Sequence, residues 1–319
     1  MQISVETPPL DSGLTEELID FWDEIFGDGY QPERSAYAGD ESDFNRDTFY
    51  LLEQGGRTVG SSHLTTAVGS PELSGLGEVA TAPQCRGQGI ASRLCRAARD
   101  DFLASGGQAL FLGTVNPTAA RIYHRLGWRQ MAGSTVWALI ASGESPESFL
   151  VDYFRASDEV GIEPGSPAQR VPMIPLIVTP HDWWVLDANV ELYSTRYREQ
   201  NSCMGLYPRY AKLVEQGAGA WFAARTRDGR LVGLASARPD GEGACQVDGF
   251  VHGRYGGAWA DVIRAAIDWA EGHCWVRLCV EDEEKGAWLK ELGFVDGGPG
   301  EPFVMGGRTV EAVRLVAGV

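Results

Sequence analysis

The sequence contains no run of apolar residues long enough to span a bilayer. Its first residues, MQISVETPPLDSGLTEEL, also lack the basic start and apolar core of a secretory signal, and they are acidic instead. These two absences argue against a membrane protein and against a secreted one. We therefore expect a cytoplasmic protein with no membrane partner.

Basic residues are scarce relative to acidic ones. The chain has 27 Lys and Arg against 44 Asp and Glu, which gives a net charge of −17. Binding to phosphates needs clustered Lys and Arg, so this balance argues against a nucleic-acid partner. It is compatible with a cationic small molecule, although acidity also serves solubility.

Cysteine pairs at short spacing are absent as well. The six cysteines show none of the C-x-x-C spacing of a zinc site or a redox motif. We expect all of them to be small half-buried thiols in a reducing compartment, and we expect no metal. They are Cys85, Cys95, Cys203, Cys245, Cys274 and Cys279.

What the sequence does have is a mixed α/β pattern that occurs twice. At 319 residues, two domains are the default expectation. We predict a first domain at 1–143, a connector rich in Gly, Ser, Pro and acids at 144–170, and a second domain at 171–319. Recurrence at this scale indicates duplication of one fold.

The first half begins with helical spacing of apolar residues at 14–26, with Thr15 as a candidate N-cap. Two strands joined by a Gly55-Gly56 turn follow, and then strands alternate with helices. Pro117 and Gly127 mark the start and the end of the last helix. The predicted strands are 48–54, 57–66, 75–82, 109–114 and 134–140, and the later helices are 90–103 and 117–126.

The second half repeats this order after a different beginning. We predict a strand at 171–178 and two helical stretches between His181 and Gln216, with one short helix in the connector at 148–154. A hairpin across Asp228-Gly229 then restarts the shared pattern. Its predicted strands are 220–226, 231–239, 244–251, 274–280, 303–307 and 311–318, and its helices are 258–270 and 285–292.

The most informative stretch is EVATAPQCRGQGIAS, from Glu78 to Ser92, in which a turn lies between a strand and a helix. Gly87 and Gly89 allow the backbone to approach a ligand closely. The free N–H groups and the dipole of the next helix favour an anion such as pyrophosphate. The spacing matches neither the dinucleotide motif nor the P-loop, and on its own it also fits a plain strand-to-helix turn.

A second motif is NPTAARIYHRLGW, which begins at Asn116 and contains Tyr123 seven positions later. Together, in this order and separation, the two motifs resemble those of the GNAT superfamily of acetyltransferases. The resemblance covers most of residues 1–140. It implies an α/β (α+β) protein of two tandem GNAT folds, each a mixed central sheet flanked by helices, with acetyl-CoA as the acyl donor.

The resemblance implies a role for each matching position. The strand backbone at Val79, Ala80 and Thr81 should bind the pantetheine arm as an added strand would. Asn116 should contact the pantetheine end. Tyr123 should protonate the departing thiolate as a general acid, and the alternative is a packed aromatic residue on an amphipathic helix. The pyrophosphate should be held by Arg86, Gly87, Gln88, Gly89, Ile90, Ala91 and Ser92.

The general base is less clearly marked. Some family members carry a glutamate five residues before the asparagine, where this chain has Phe111. Glu78 is the best remaining carboxylate, with an ordinary acid at a strand end as the alternative. His63 and His124 are weaker candidates, and His124 should not share a helix face with the adjacent tyrosine.

The region from 21 to 47 should select the acceptor, because the family places acceptor specificity in its first helices and the loop between them. Its mixture of acids and aromatics suits a cationic amine, although a solvated acidic loop has the same composition. The residues are Asp23, Glu24, Asp28, Glu33, Asp40, Glu41, Asp43 and Asp47, with Trp22, Tyr30, Tyr37 and Phe44.

The second half lacks the features that the first half preserves. Tyr255 replaces the first glycine of the turn, where it should crowd a pyrophosphate. Asp282 stands in place of the asparagine and Leu289 in place of the tyrosine. We therefore expect a degenerate domain that shapes the acceptor pocket or stabilises the first domain.

These features predict an N-acetyltransferase that acts on a primary amine of a small molecule by direct attack in a ternary complex. Two alternatives stay open. The acceptor could be a protein N-terminus or lysine, which an open, shallow cleft would favour. The chain could also be a CoA-binding scaffold without catalysis, which the intact Asn116 and Tyr123 speak against.

Overall fold

The computed structural model describes residues 2–27, 34–157, 159–215, 217, 219–241 and 243–317. These residues form two sheets of seven strands each, with helices around them, and one ribbon of two strands. Within the described ranges, no helix has the length and apolar character needed to cross a bilayer. All six cysteines are free thiols, as expected, but they are buried rather than half-buried.

The first sheet has the strand order β1-β2-β3-β4-β5-β7-β6, and only β4 and β5 run parallel. The helix α3 connects these two parallel strands. The elements are β1 (Ile3–Glu6), α1 (Ser12–Phe26), α2 (Arg34–Ala38), β2 (Asn45–Gln54), β3 (Arg57–Ala67), β4 (Leu73–Thr81), α3 (Ile90–Ala104), β5 (Ala109–Gly113), α4 (Pro117–Leu126), β6 (Arg129–Gln130) and β7 (Val136–Ile140).

The second sheet repeats this topology. The elements are α5 (Pro146–Tyr153), β8 (Val160–Pro164), α6 (Met173–Val178), β9 (Val185–Asp187), β10 (Leu192–Tyr193), α7 (Tyr207–Glu215), β11 (Ala220–Thr226), β12 (Leu231–Pro239), β13 (Ala244–Val251), α8 (Trp259–Trp269), β14 (His273–Cys279), α9 (Glu283–Glu291), β15 (Phe294–Met305) and β16 (Arg308–Ala317). The order β8-β11-β12-β13-β14-β16-β15 matches the first sheet strand for strand, with one parallel pair, β13 and β14. Two tandem folds of one kind are therefore confirmed.

Local signals explain where the helices begin and end. Asn116 caps α4 by accepting from the N–H of Thr118 at 2.9 Å, and Pro117 follows at the first helical position. Gly127 ends this helix in the left-handed conformation. In α1 the cap is Asp11 rather than the predicted Thr15, so that helix begins earlier than expected.

The beginning of the second half differs from the prediction. Residues 171–178 were expected to form a strand, but 173–178 form the helix α6. All eight residues are buried, and an apolar run that is buried on every side carries no periodicity to distinguish helix from strand. Between His181 and Gln216 the described residues contain one α-helix, α7, where two were expected, and the ribbon of β9 and β10 precedes it.

The predicted connector also holds more structure than its composition suggests. Its short helix is present as α5, but 160–164 form β8, the edge strand of the second sheet. The second sheet therefore begins inside the segment that was expected to be a linker.

The two domains share one apolar core. Leu73 and Phe111 of the first sheet belong to the same buried cluster as Ile174 and Leu206 of the second half. A buried ion pair adds to this contact, because the Arg170 guanidinium donates to the Glu41 carboxylate at 2.8 Å. The second domain is thus packed directly against the first sheet.

Candidate active site

The first sheet opens between its two parallel strands. β4 pairs with β5 only from Leu73 to Gly75, opposite Ala109 to Phe111. β4 then continues to Thr81 without a strand on this side, while its other edge stays paired with β3. The backbone of 79–81 therefore presents one free edge to the opening, which suits a ligand that binds as an added strand.

The turn after β4 leads directly into a helix N-terminus. Gly87 and Gly89 both adopt φ near +77°, a conformation that L side chains rarely take. A Cβ added at either position would meet no atom within 4 Å, so the turn lies against open space. No side chain caps α3 at Gly89, and its first turn holds no acidic residue. The free N–H groups and the helix dipole favour an anion here.

A bulge in β4 sets the position of Glu78. The pairing with β3 shifts at this point, and Glu78 adopts φ of +45°, which is unusual outside glycine. The Ser61 hydroxyl donates to the Glu78 carbonyl at 2.7 Å, and the Trp22 indole donates to that hydroxyl at 2.9 Å. These bonds fix the strained backbone and thereby the direction of the carboxylate.

His63 bridges two carboxylates. Its Nδ1 lies 2.8 Å from Glu78 Oε2, and its Nε2 lies 2.8 Å from Asp47 Oδ1, which also accepts from the Thr65 hydroxyl at 2.7 Å. The imidazole stacks on Phe49, with ring centroids 4.1 Å apart. Asp47 was expected in the acceptor region, but it serves instead as the second partner of the histidine.

Hydrogen bonding decides the charge of this group. Burial lowers the pKa of His63. The hydrogen bonds and charges of Asp47 and Glu78 outweigh this effect and raise the pKa to about 9. For the acid Asp47, burial acts in the other direction and raises the pKa. The hydrogen bonds from His63 and Thr65 outweigh that effect and keep the pKa of Asp47 below its usual value. At neutral pH the group is therefore an imidazolium between two carboxylates.

Tyr123 lies on α4 and is 5% exposed. Burial raises the pKa of its phenol well above the usual value, and interactions with the thiols of Cys95 and Cys203 add to that effect. The phenol therefore keeps its proton at neutral pH. The neighbouring His124 is exposed, as its place on the helix predicted.

Asn116 is exposed and forms the N-cap of α4 through its Oδ1 atom. Asn116 thus has a structural role, because it stabilises the start of the helix that carries Tyr123. Phe111, which stands where some family members carry a base, is fully buried in the shared core.

Residues 13–128 match the family model described as acetyltransferase (GNAT) family. This match contains both motifs, the turn and the helix of Tyr123. The first domain is a GNAT acetyltransferase domain. The chain that carries it is therefore an acetyl-transferring enzyme, and acetyl-CoA is the acyl donor that the family uses.

Solved structures match about half of this chain. The dodecameric spermidine N-acetyltransferase from Vibrio cholerae is 16% identical with a TM-score of 0.39, covering 50% of this chain and 94% of that one. The ribosomal-protein-S5-alanine acetyltransferase from Vibrio fischeri is 12% identical with a TM-score of 0.39, covering 50% and 93%. Similarity at this level says nothing about the acceptor. A comparison with curated proteins gives no match.

The acceptor region of the GNAT domain is arranged differently from a wall of acids and aromatics. Trp22 and Tyr37 are core residues, packed with ring centroids 5.4 Å apart. Glu41 is buried in the ion pair to the second domain. Glu24, Asp40 and Asp43 are exposed, Asp23 is partly buried and Phe44 is 37% exposed, whereas Asp28, Tyr30 and Glu33 lie outside the described residues.

In the second domain the corresponding opening is filled by side chains. Beyond Gln246, β13 parts from β14, and there the Lys285 ammonium lies 2.5 Å from Asp248 Oδ1. Lys285 also donates to the carbonyl of Val185 at 3.0 Å, and Asp248 accepts from the N–H of Ala188 at 2.8 Å. All of these residues are buried, so this domain keeps the fold without keeping the opening.

The turn of the second domain has also changed, though not as expected. Tyr255 does not stand over the helix start. It is 5% exposed. Its hydroxyl donates a hydrogen bond to the Arg155 carbonyl and accepts one from the Arg230 guanidinium. The turn itself is a 3₁₀-helix from Gly253 to Ala258 that leads into α8, so the backbone no longer forms a glycine cradle.

The sequence predicted that the second domain could shape the acceptor pocket, but not which of its residues lie near this site. Cys203 is 2% exposed and lies within electrostatic reach of both Glu78 and Tyr123. Asp47 was assigned to the acceptor loop rather than to the histidine. No local pattern marks either residue, because each acquires its partner through contacts that are distant in sequence.

Proposed function

We propose that the GNAT domain transfers the acetyl group of acetyl-CoA to a primary amine of a small molecule, by direct attack in a ternary complex. The observation that supports the proposal is that Glu78 and Tyr123 each interact electrostatically with the same buried thiol, that of Cys203. One group is a carboxylate and the other a buried phenol, as a proton acceptor and a proton donor require.

The donor-binding features support acetyl-CoA. The turn through Gly87 and Gly89 is followed by an uncapped helix. The segment from Arg86 to Ser92 therefore suits the binding of a pyrophosphate. The free edge of β4 at Val79, Ala80 and Thr81 suits the amides of the pantetheine arm, and Asn116 lies at the start of the next helix. The residues present thus fit the donor.

Each catalytic group then has one task. Glu78 holds one carboxylate oxygen toward His63, and its Oε1 atom remains to accept a proton from the amine, directly or through water. The N–H groups near Val79 polarise the thioester carbonyl as the amine attacks. Tyr123 donates its proton to the departing thiolate, and the amide and the free thiol of CoA are the products.

A small acceptor is supported by the placement of the second domain. Its residues 201–204 contact β4 and β5 next to the opening, so one side of the site is roofed. A protein N-terminus or lysine would need a more open cleft. The net charge of −17 also favours a cationic amine over a neutral one.

The testing experiment is Tyr123→Phe, which removes only the hydroxyl. We expect kcat for acetyl transfer to amines to fall about 10²-fold or more, because one proton donor contributes on that scale. The Kd for acetyl-CoA, measured by calorimetry, should change less than about twofold, since the phenol acts only as the bond breaks. Tyr153→Phe is the matched control, because it removes a buried hydroxyl on α5, outside both motifs.

The outcomes separate the alternatives. Equal losses of turnover and of affinity would make Tyr123 a structural residue. Acetyl-CoA binding without turnover of any amine or peptide would favour a scaffold. Turnover of peptides alone would favour a protein acceptor.

A further inference from the structure

One segment of the second domain is held by the backbone of the first. The N–H of Thr135 donates to the Gln200 carbonyl at 3.0 Å, and the N–H of Gln200 donates to the Gly133 carbonyl at 3.3 Å. Ser134 and Gln200 thereby form a parallel bridge. The residues that follow Gln200 are thus fixed against the last hairpin of the GNAT domain.

Glycines on both parallel strands make room for this segment. A Cβ added at Gly75 would lie 2.2 Å from Met204 Sδ, and one at Gly77 would lie 3.6 Å from Met204 Cγ. A Cβ added at Gly113 would lie 3.2 Å from the Cys203 nitrogen. The surface of β4 and β5 is therefore shaped to the second domain at these three positions.

The segment reaches the reacting groups. Gly77, which Met204 contacts, directly precedes Glu78 on the bulged strand. Cys203, the neighbour of Met204, interacts electrostatically with both Glu78 and Tyr123. The thiol and the thioether thus lie beside the strand that carries Glu78.

We propose that Asn201–Met204 of the second domain forms the acceptor-side wall of the GNAT site, with Met204 facing the place from which the amine approaches the acetyl group. This inference rests on the proposed function and adds a substrate class to it. Because sulfur side chains are apolar and adaptable, the wall suits an amine that carries an apolar hydrocarbon group next to its nitrogen.

The experiment places a thiol in the wall and offers it an alkylating donor. Met204→Cys is treated with bromoacetyl-CoA, whose bromide the thiolate displaces to form a thioether, and labelled peptides are located by fragmentation mass spectrometry. Bromoacetamide at equal concentration measures untethered reactivity. Met173→Cys is the matched control, because it replaces a fully buried methionine in the core of the second domain.

We expect the introduced thiol of Met204→Cys to react at least tenfold faster with bromoacetyl-CoA than with bromoacetamide, and excess CoA to suppress the reaction. Met173→Cys should show no such acceleration. Equal rates with the two reagents, while calorimetry shows that acetyl-CoA still binds, would overturn the wall. Absence of acetyl-CoA binding in the unmodified protein would overturn the proposed function instead.

Discussion

At the scale of single residues, the position of His63 between two carboxylates explains how Glu78 can serve as a base. The imidazolium donates to one oxygen of that carboxylate and to Asp47, so the carboxylate is held in one orientation. The strained backbone at Glu78 is fixed by the Ser61 hydroxyl. We therefore propose His63 as a positioning residue and the Glu78 carboxylate as the group that meets the amine.

We expect Glu78→Gln to lower kcat/KM for amine acetylation about 10²-fold, because the amide cannot accept the proton. The amide keeps the shape of the side chain, so the Kd for acetyl-CoA should stay within about twofold. Glu53→Gln, an exposed position at the end of β2, is the control and should keep full activity. A Glu78→Gln enzyme of unchanged kcat/KM would exclude this carboxylate as the base.

The charge of His63 predicts a pH dependence of stability. Its pKa in the folded protein is about 9 against 6.5 for the free side chain, so its contribution is complete below pH 6.5 and is lost as the pH rises through 9. Asp47 has a lowered pKa, so its contribution is present above its ordinary pKa and is lost as the pH falls. The group stabilises the fold most between about pH 4 and 6.5.

Denaturant titrations of the wild type and His63→Gln between pH 5 and 9.5 measure this effect. The difference in free energy of unfolding should shrink by about 3 kcal/mol across that range, since one unit of pKa corresponds to about 1.4 kcal/mol. The exposed His124→Gln should show no comparable change. A difference that does not vary with pH would mean that folding leaves the pKa of His63 unshifted.

At the scale of elements, the same strand, turn and helix occur twice and differ in the turn. In the GNAT domain the turn has two left-handed glycines before α3. In the second domain a 3₁₀-helix replaces it, and Lys285 fills the opening behind it. This difference predicts one acetyl-CoA site per chain.

Calorimetric titration of acetyl-CoA should therefore give one site per chain. We expect Gly87→Tyr to weaken binding at least about tenfold, because the added side chain would stand in the open turn that should hold the pyrophosphate. Gly143→Tyr is the control, since Gly143 has a similar φ of +81° and open space, but follows β7. Two sites, or unchanged affinity in Gly87→Tyr, would contradict this reading of the two turns.

How far the sequence predicts these elements depends on whether their signals are local. The bounds of α4 could be predicted because Asn116, Pro117 and Gly127 act within one turn of the helix. α6 could not, because its residues are buried all round and lack an amphipathic period. The wall at Cys203 and Met204 could not either, since it depends on how one domain packs against the other.

At the scale of the whole molecule, the two domains are one packed unit. One cluster of buried apolar residues includes members of both sheets, and the first domain has a further cluster of its own. Arg170 pairs with Glu41 across the contact, and its guanidinium lies 4.3 Å from the ring of Tyr207. Because the wall of the active site belongs to the second domain, this contact bears on activity as well as on stability.

We expect the wild type to unfold in one cooperative transition, because separating the domains would expose the shared core. Glu41→Ala should lower the free energy of unfolding by about 3–5 kcal/mol, since it leaves the Arg170 guanidinium buried without its carboxylate. Arg227→Ala breaks an exposed ion pair with Glu159 and should change it by less than about 1 kcal/mol. Differential scanning calorimetry measures the number of transitions, and chemical denaturation measures the free energy of unfolding. Two separate transitions in the wild type would show that the domains are independent, and an active site with its wall in the second domain would then be hard to maintain.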